Sequence, residues 1–238
     1  MHIPIPSRWS LLNESRFVWD VASSMARLPL LATQPRGTGD PVLVLPGFAA
    51  SDASTVPLRT FLRLLGHDAR GWGLGTNGGD VAALLPRVIA QVERRSVATG
   101  MRVRLVGWSL GGVLAREAAR DRPDLVERVI TLGSPIVGGP KYTAVGRAYA
   151  LRGVDFDAIE ARIAERERTP LRVPVTAIYS KSDGIVAWQA CIDRHNDHVE
   201  HIEVSSSHTG LGVHAEVLAL VAQRLAIPRD TTRPSTDE

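Results

Sequence analysis

Three residue types in this chain have the chemistry for acyl transfer, each where an apolar run gives way to a polar turn. Gly107-Trp108-Ser109-Leu110-Gly111 fits the pattern G-x-S-x-G, with the apolar run "MRVRLVG" before it and the helix-like "SLGGVLAREAARD" after it. A sharp turn from strand into helix strains the backbone of its middle residue, and flanking glycines remove the side chains that would clash. The hydroxyl of Ser109 would then stand exposed above a helix N-terminus, where partial positive charge favours an anion. The match alone is weak in a chain with 21 glycines, since a tight packing turn with an incidental serine reads the same way.

A hydroxyl is a poor nucleophile until a base takes its proton. Seven histidines are available, and His208, in "SSSHTGLG", sits after the last strand-like run and before the last helix-like one. His2 and His67 lie in the wrong region, and His214 lies inside the closing helix. His195, His198 and His201 belong to the polar connection "HNDHVEH". Their spacing of three invites a zinc reading, but a solvated loop explains it and strand alternation would separate the ligands, so no metal is expected. The base needs an orienting carboxylate. Asp183, in "YSKSDGIV", fills that place after the preceding run, with an ordinary Asp-Gly turn as the plainer reading and Asp155 and Asp157 as rivals. A developing oxyanion needs two backbone donors. The amide of Leu110 is one; the amide of Phe48, in "LPGFAASD", is the other, with Gly47 allowing close approach.

Elements must bring these residues together. Apolar residues Leu11, Val18, Ala22 and Met25 recur at helical spacing from about Ser10 to Met25, with Leu12 and Trp19 beside them, which predicts an amphipathic leading helix. "PVLVLPGF", "MRVRLVG", "VERVITLG", "VPVTAIYS" and "VEHIEVS" read as strands, with a weaker one near "HDARGW". Helices fall between them, and Asp80 is placed to cap the one that runs to about Arg95. Such alternation predicts an α/β fold with a mostly parallel sheet of about six strands and helices on both faces. Sites in such sheets form outside the carboxyl ends of the strands, where Phe48, Ser109, Asp183 and His208 would all lie. The stretch at about 140–169 breaks the alternation and predicts a small cap insertion. The expected organisation is residues 1–40 as leading helix and connection, 41–227 as the main domain with its cap, and 228–238 as a flexible tail.

Length and composition narrow the field. A chain of 238 residues, 44% hydrophobic, suits one domain with a sizeable core. Its net charge of +3 comes almost wholly from arginine, since Lys141 and Lys181 are the only lysines, and no basic stripe interleaved with aromatics points to nucleic acid. One cysteine excludes an internal disulfide. No secretory signal pattern opens the sequence, and no run approaches the ~18 apolar residues that a bilayer span needs, so a soluble, cytoplasmic protein is expected.

"LVGWSLGGVLAR" resembles the lipase form of the nucleophile elbow, and "VITLGSPIVGG" resembles the segment after the next strand in many bacterial lipases. "GWGLGTNGG", "YSKSDGIVAW" and "SHTGLG" are similar to motifs of bacterial esterase/lipase-like proteins. About three quarters of the chain thus resembles the α/β-hydrolase superfamily. The resemblance implies Ser109 as nucleophile, His208 as base, Asp183 as acid and the Phe48 and Leu110 amides as oxyanion hole, in the chain order Ser-Asp-His, with no cofactor. It departs from many relatives in lacking a hairpin before "PVLVLPG" and in carrying Pro46-Gly47 where they have His-Gly.

The expected activity is hydrolysis of a small-molecule or lipid carboxylic ester. Thioester hydrolysis or acyl transfer is the alternative within the same chemistry, and a non-catalytic binding module the alternative outside it. Trp108, Tyr142, Tyr149 and Phe156 are candidates for the substrate pocket, with packing of the cap on the core as the competing role of its apolar residues. The leading helix, with Trp9 and Trp19, is expected to pack on its own domain, with lipid contact as the alternative.

Overall fold

The computed structural model describes residues 3–6, 10–151, 153–196 and 198–228, without the side chains of 147, 148 and 151. Trp9 and the expected tail beyond residue 228 lie outside the described residues.

The chain opens with a 3₁₀ turn, Ser10–Arg16, then α1 (Phe17–Ala26) and α2 (Leu28–Ala32). Strand β1 (Pro41–Leu45) leads through a second 3₁₀ turn, Asp52–Thr55, to α3 (Val56–Leu64), β2 (Asp68–Gly71) and α4 (Val81–Thr99). Asp80 does cap α4, accepting from the Ala83 amide at 3.0 Å. Next come β3 (Val103–Trp108), α5 (Leu110–Asp121) and β4 (Val126–Leu132). The chain then leaves the alternation for a 3₁₀ turn, Gly139–Tyr142, and two helices, α6 (Gly146–Leu151) and α7 (Phe156–Glu167). Sequence spacing shows only the second of these. The remainder is β5 (Val175–Ser180), a 3₁₀ turn at Trp188–Cys191, β6 (Val199–Val204), a 3₁₀ turn at Thr209–Gly212, and α8 (Ala215–Leu225).

The six strands form one sheet in the order β2-β1-β3-β4-β5-β6, and every pairing is parallel. Strand side chains alternate between the faces, so a strand covered on both sides must be apolar throughout. That is the case for β1: Val42 and Val44 pack with α3 and α8, while Leu43 and Leu45 pack with α4 and α5. All seven residues of β4 are buried as well, but Glu127, Arg128 and Thr131 interrupt its apolar run, and Arg128 donates to the Arg224 carbonyl at 2.8 Å.

The N-terminal segment departs from its sequence pattern. Asp20 and Ser24 are the buried residues of α1, while Val18, Ala22 and Met25 face outward. The reason is hydrogen bonding: Ser24 donates to the Val213 carbonyl at 2.8 Å, and Asp20 accepts from the Ser207 amide at 3.1 Å and its hydroxyl at 2.8 Å. Buried polar groups with partners hold the polar face inward, and the apolar stripe is left outside.

Candidate active site

Ser109 begins the turn from β3 into α5 with φ 52° and ψ −122°, one of two non-glycine residues with positive φ among those described. This conformation is costly for an L-residue, and the surroundings enforce it. The Ser109 amide donates to the Leu132 carbonyl at 2.8 Å, tying the turn to the end of β4. A side chain at Gly107 would collide with the backbone of Gly111 and Gly112, so β3 and α5 meet only because that position is glycine.

His208 and Asp183 are brought together from the ends of β6 and β5. His208 Nδ1 lies 2.6 Å from Asp183 Oδ2, and both side chains are buried. The other carboxylate oxygen, Oδ1, accepts from the amides of Ile185 at 2.8 Å and Val186 at 2.7 Å, which fixes its plane. A neutral imidazole that donates from Nδ1 keeps its free lone pair on Nε2. Burial disfavours the imidazolium, but the charge of Asp183, its hydrogen bond and the more distant Glu14 outweigh that and raise the His208 pKa from its ordinary value. Asp155, the rival acid, caps α7 instead, accepting from the Ala158 amide at 3.0 Å.

The loop after β1 stands against the serine. A side chain at Gly47 would come within 3.2 Å of Ser109 Cβ, so glycine permits the approach. Phe48 follows, and then Ala49 at φ 57°. Fully buried Asn77 holds this loop: its side-chain amide donates to the Pro46 carbonyl at 2.9 Å, its carbonyl accepts from Ala49 at 2.8 Å, and its amide donates to Ala50 at 2.8 Å. Leu110 opens α5, where a backbone N–H has no acceptor within the helix.

A cavity of about 870 Å³ lies over these residues, lined by Phe48, Ser109, Leu110 and His208 on one side. Helix α7 adds Ile159 and Ile163, and α6 adds Tyr149, whose ring meets Phe48 at 4.9 Å between centroids. Of the expected pocket residues, Trp108 and Tyr149 line the cavity. Tyr142 does not: it packs beside Ile3, Ala187 and Ala190 in a separate apolar cluster. Phe156 is also absent from the lining, although Val154 before it and Ile159 after it belong to it.

No family model matches the chain. A pimeloyl-[acyl-carrier protein] methyl ester esterase from Aliivibrio salmonicida is 29% identical over 117 residues, 47% of this chain and 41% of that one. The match thus spans about two fifths of the length of that relative. Among solved structures, a Bacillus licheniformis lipase superposes with a TM-score of 0.62 at 16% identity, covering 82% of this chain and 95% of that one. A monoacylglycerol lipase from Paleococcus ferrophilus gives 0.57 at 14% identity, covering 79% and 96%.

This chain has the α/β-hydrolase fold.

Several contacts around the site of this α/β-hydrolase fold are silent in the sequence. Glu14, in the first 3₁₀ turn, accepts from the amides of Gly184 and His208, both at 3.0 Å, and from the Thr209 amide at 2.8 Å and hydroxyl at 2.7 Å. One carboxylate therefore bridges the loop of Asp183 and the loop of His208. Burial works against its charge, yet the hydrogen bonds from Thr209, His208 and Gly184 outweigh it and lower the Glu14 pKa. Trp108 Nε1 donates to the His208 carbonyl at 3.2 Å, so the indole braces the histidine as well as lining the cavity. Gly133, at φ 55°, leaves room beside the acid–base pair. Local spacing carries no sign of Glu14, because its partners lie at the opposite end of the chain. Gly133 had one visible mark, its place just after a strand.

Two histidines of "HNDHVEH" have structural surroundings. His201 Nε2 accepts from the Asp193 amide at 2.9 Å, and His195 Nε2 lies 3.4 Å from Glu167. Among the described residues no group of three histidine, cysteine or carboxylate side chains is placed to hold a metal ion.

Proposed function

We propose that this protein is a serine hydrolase that cleaves carboxylic esters through an acyl-enzyme. Ser109 is the nucleophile, His208 the base, Asp183 the orienting acid, and the amides of Phe48 and Leu110 the oxyanion donors. The observation that carries the reading is the 2.6 Å pair of His208 and Asp183 beside a serine held at positive φ, with His208 and Ser109 lining one cavity. Names of similar proteins, an esterase and two lipases, support the same class.

In the first step Ser109 Oγ bonds to the ester carbonyl carbon while its proton passes to His208 Nε2. The carbonyl π electrons move to oxygen, where the two amides stabilise the negative charge. Collapse of this intermediate breaks the bond to the alcohol, which leaves with the proton from His208. Water then repeats the sequence against the acyl-enzyme, giving up a proton to His208. Release of the acid restores Ser109. Asp183 keeps the Nδ1 proton in place and stabilises the imidazolium without becoming protonated itself. Aliphatic side chains across the cavity, Leu85, Val113, Ile159 and Ile163 among them, suit an apolar acyl chain.

The test is a panel of p-nitrophenyl esters of rising chain length on wild type, Ser109→Ala and Asp183→Asn. Hydrolysis should vanish in the first variant and fall by roughly 10⁴-fold in kcat in the second. Activity that survives Ser109→Ala would sink the mechanism. An inert protein whose serine resists a fluorophosphonate would instead be a non-catalytic binding module.

A further inference from the structure

The N-terminal segment turns its carboxylates toward the protein and its apolar residues away from it. In α1, where successive residues are 100° apart, Asp20 and Ser24 lie on one side and Val18, Ala22 and Met25 on the opposite side. Val18 is 74% exposed, Trp19 72% and Met25 66%; Leu11, Leu28 and Leu30 extend the same exposure along the segment. Single exposed apolar residues need no explanation, but a run of large ones along one short segment marks an interaction surface. The charges decide which kind. Between Ser10 and Ala32 there are four charged residues. Glu14 and Asp20 are engaged inward, with the loop of His208, while Arg16 and Arg27 are exposed. Arg16 also donates to the Ser205 hydroxyl at 3.2 Å. The outer side of the segment is thus apolar, and its exposed charge is cationic, carried by Arg16 and Arg27 at the two ends of α1, the composition of a helix that lies in the plane of a bilayer surface. A second copy of the chain on this face would bring the same arginines into one interface, where like charges repel, whereas anionic headgroups meet them with opposite charge.

We propose that residues 10–32 dock this protein on the surface of an anionic lipid bilayer, with Val18, Trp19 and Met25 among the acyl chains and Arg16 and Arg27 at the headgroups. The segment lies on the membrane without crossing it; no described helix is long and apolar enough to span one. Its inner side holds Thr209, which lines the cavity, so docking sets the cavity wall close to the lipid. The proposal stands apart from the ester-hydrolase reading, because it concerns adsorption and not bond cleavage.

The experiment is co-sedimentation of the full chain with phosphatidylcholine vesicles, with and without phosphatidylglycerol, at low and high salt. The chain should pellet with the phosphatidylglycerol vesicles and be partly released by salt. The double variant Val18→Glu, Met25→Glu should lower the partition coefficient by about tenfold or more. Arg16→Ala, Arg27→Ala should weaken binding to the anionic vesicles alone. Unchanged melting and unchanged hydrolysis of a soluble short ester would show that the Val18→Glu, Met25→Glu protein is folded. A wild type that stays in the supernatant with both vesicles overturns the proposal while leaving the hydrolase reading intact. So does a dimer, seen by analytical ultracentrifugation, that the same double variant dissociates, since the occupant is then a second copy.

Discussion

A side chain at Gly133 would crowd the hydrogen-bonded pair of Asp183 and His208. The Gly133 amide donates to the Ile178 carbonyl at 2.9 Å, which fixes the end of β4 beside β5. At φ 55° a methyl group there would come within 3.1 Å of both Asp183 Oδ2 and His208 Nδ1, and within 2.7 Å of a Leu211 methyl. Gly133→Ala therefore combines backbone strain of about 1–3 kcal/mol with pressure on the imidazole. A catalytic group displaced by about 1 Å can lose about 10²-fold in rate. The expected outcome is a kcat for p-nitrophenyl ester hydrolysis reduced on that order, a KM little changed, and a melting temperature lowered by several degrees. A variant that melts lower but keeps its kcat would show that crowding at this point does not reach the reaction.

At the scale of elements, the N-terminal segment and the histidine loop behave as one unit. Glu14 lies 194 residues before His208 in the chain, yet it accepts the backbone amides of both His208 and Thr209. The sequence shows a helix here by the spacing of Leu11, Val18, Ala22 and Met25, but not which side turns inward. Periodicity reports only that two sides differ. The partners of Asp20 and Ser24, at Ser207 and Val213, decide the orientation. The Glu14 charge adds to that of Asp183 in favouring the imidazolium. In the proposed mechanism His208 is a base only when neutral, so the acid limb of kcat/KM should have its midpoint above about 6.5. Glu14→Gln removes a negative charge near the ring, disfavours the imidazolium and moves the limb to lower pH. Glu14→Asp, which keeps the charge, should move it less. A pH profile that stays in place for Glu14→Gln would restrict this residue to holding the loop.

For the whole molecule, the alternation of apolar runs with helical stretches was enough to show a parallel sheet, because strands buried on both faces cannot hide their composition. The same reading placed Phe48, Ser109, Asp183 and His208 at strand ends, and the fold brings those ends together. The pocket was less legible: Tyr142 and Phe156 have the right chemistry but stand outside the cavity, and α6 carries too short a pattern to be seen. Buried charge across the molecule is equally hidden from local spacing, and it bears on stability. His67 is buried beside Asp40 and Arg104 near the start of β2, with Nδ1 3.9 Å from Asp40 Oδ2. Burial lowers its pKa; Asp40 opposes this and Arg104 adds to it. The unfolded chain therefore binds a proton at His67 that the folded one does not, and stability falls as pH drops below about 6.5. His208 has the opposite sign, since its raised pKa makes protonation favour the folded state. Comparing wild type with His67→Gln isolates the first effect, because His208 is present in both. In urea unfolding between about pH 7.5 and 5.5, wild type should lose stability relative to the variant, by up to about 1.4 kcal/mol per pH unit. Parallel losses in the two proteins would mean that His67 accepts its proton in the folded state, with Asp40 outweighing both burial and Arg104.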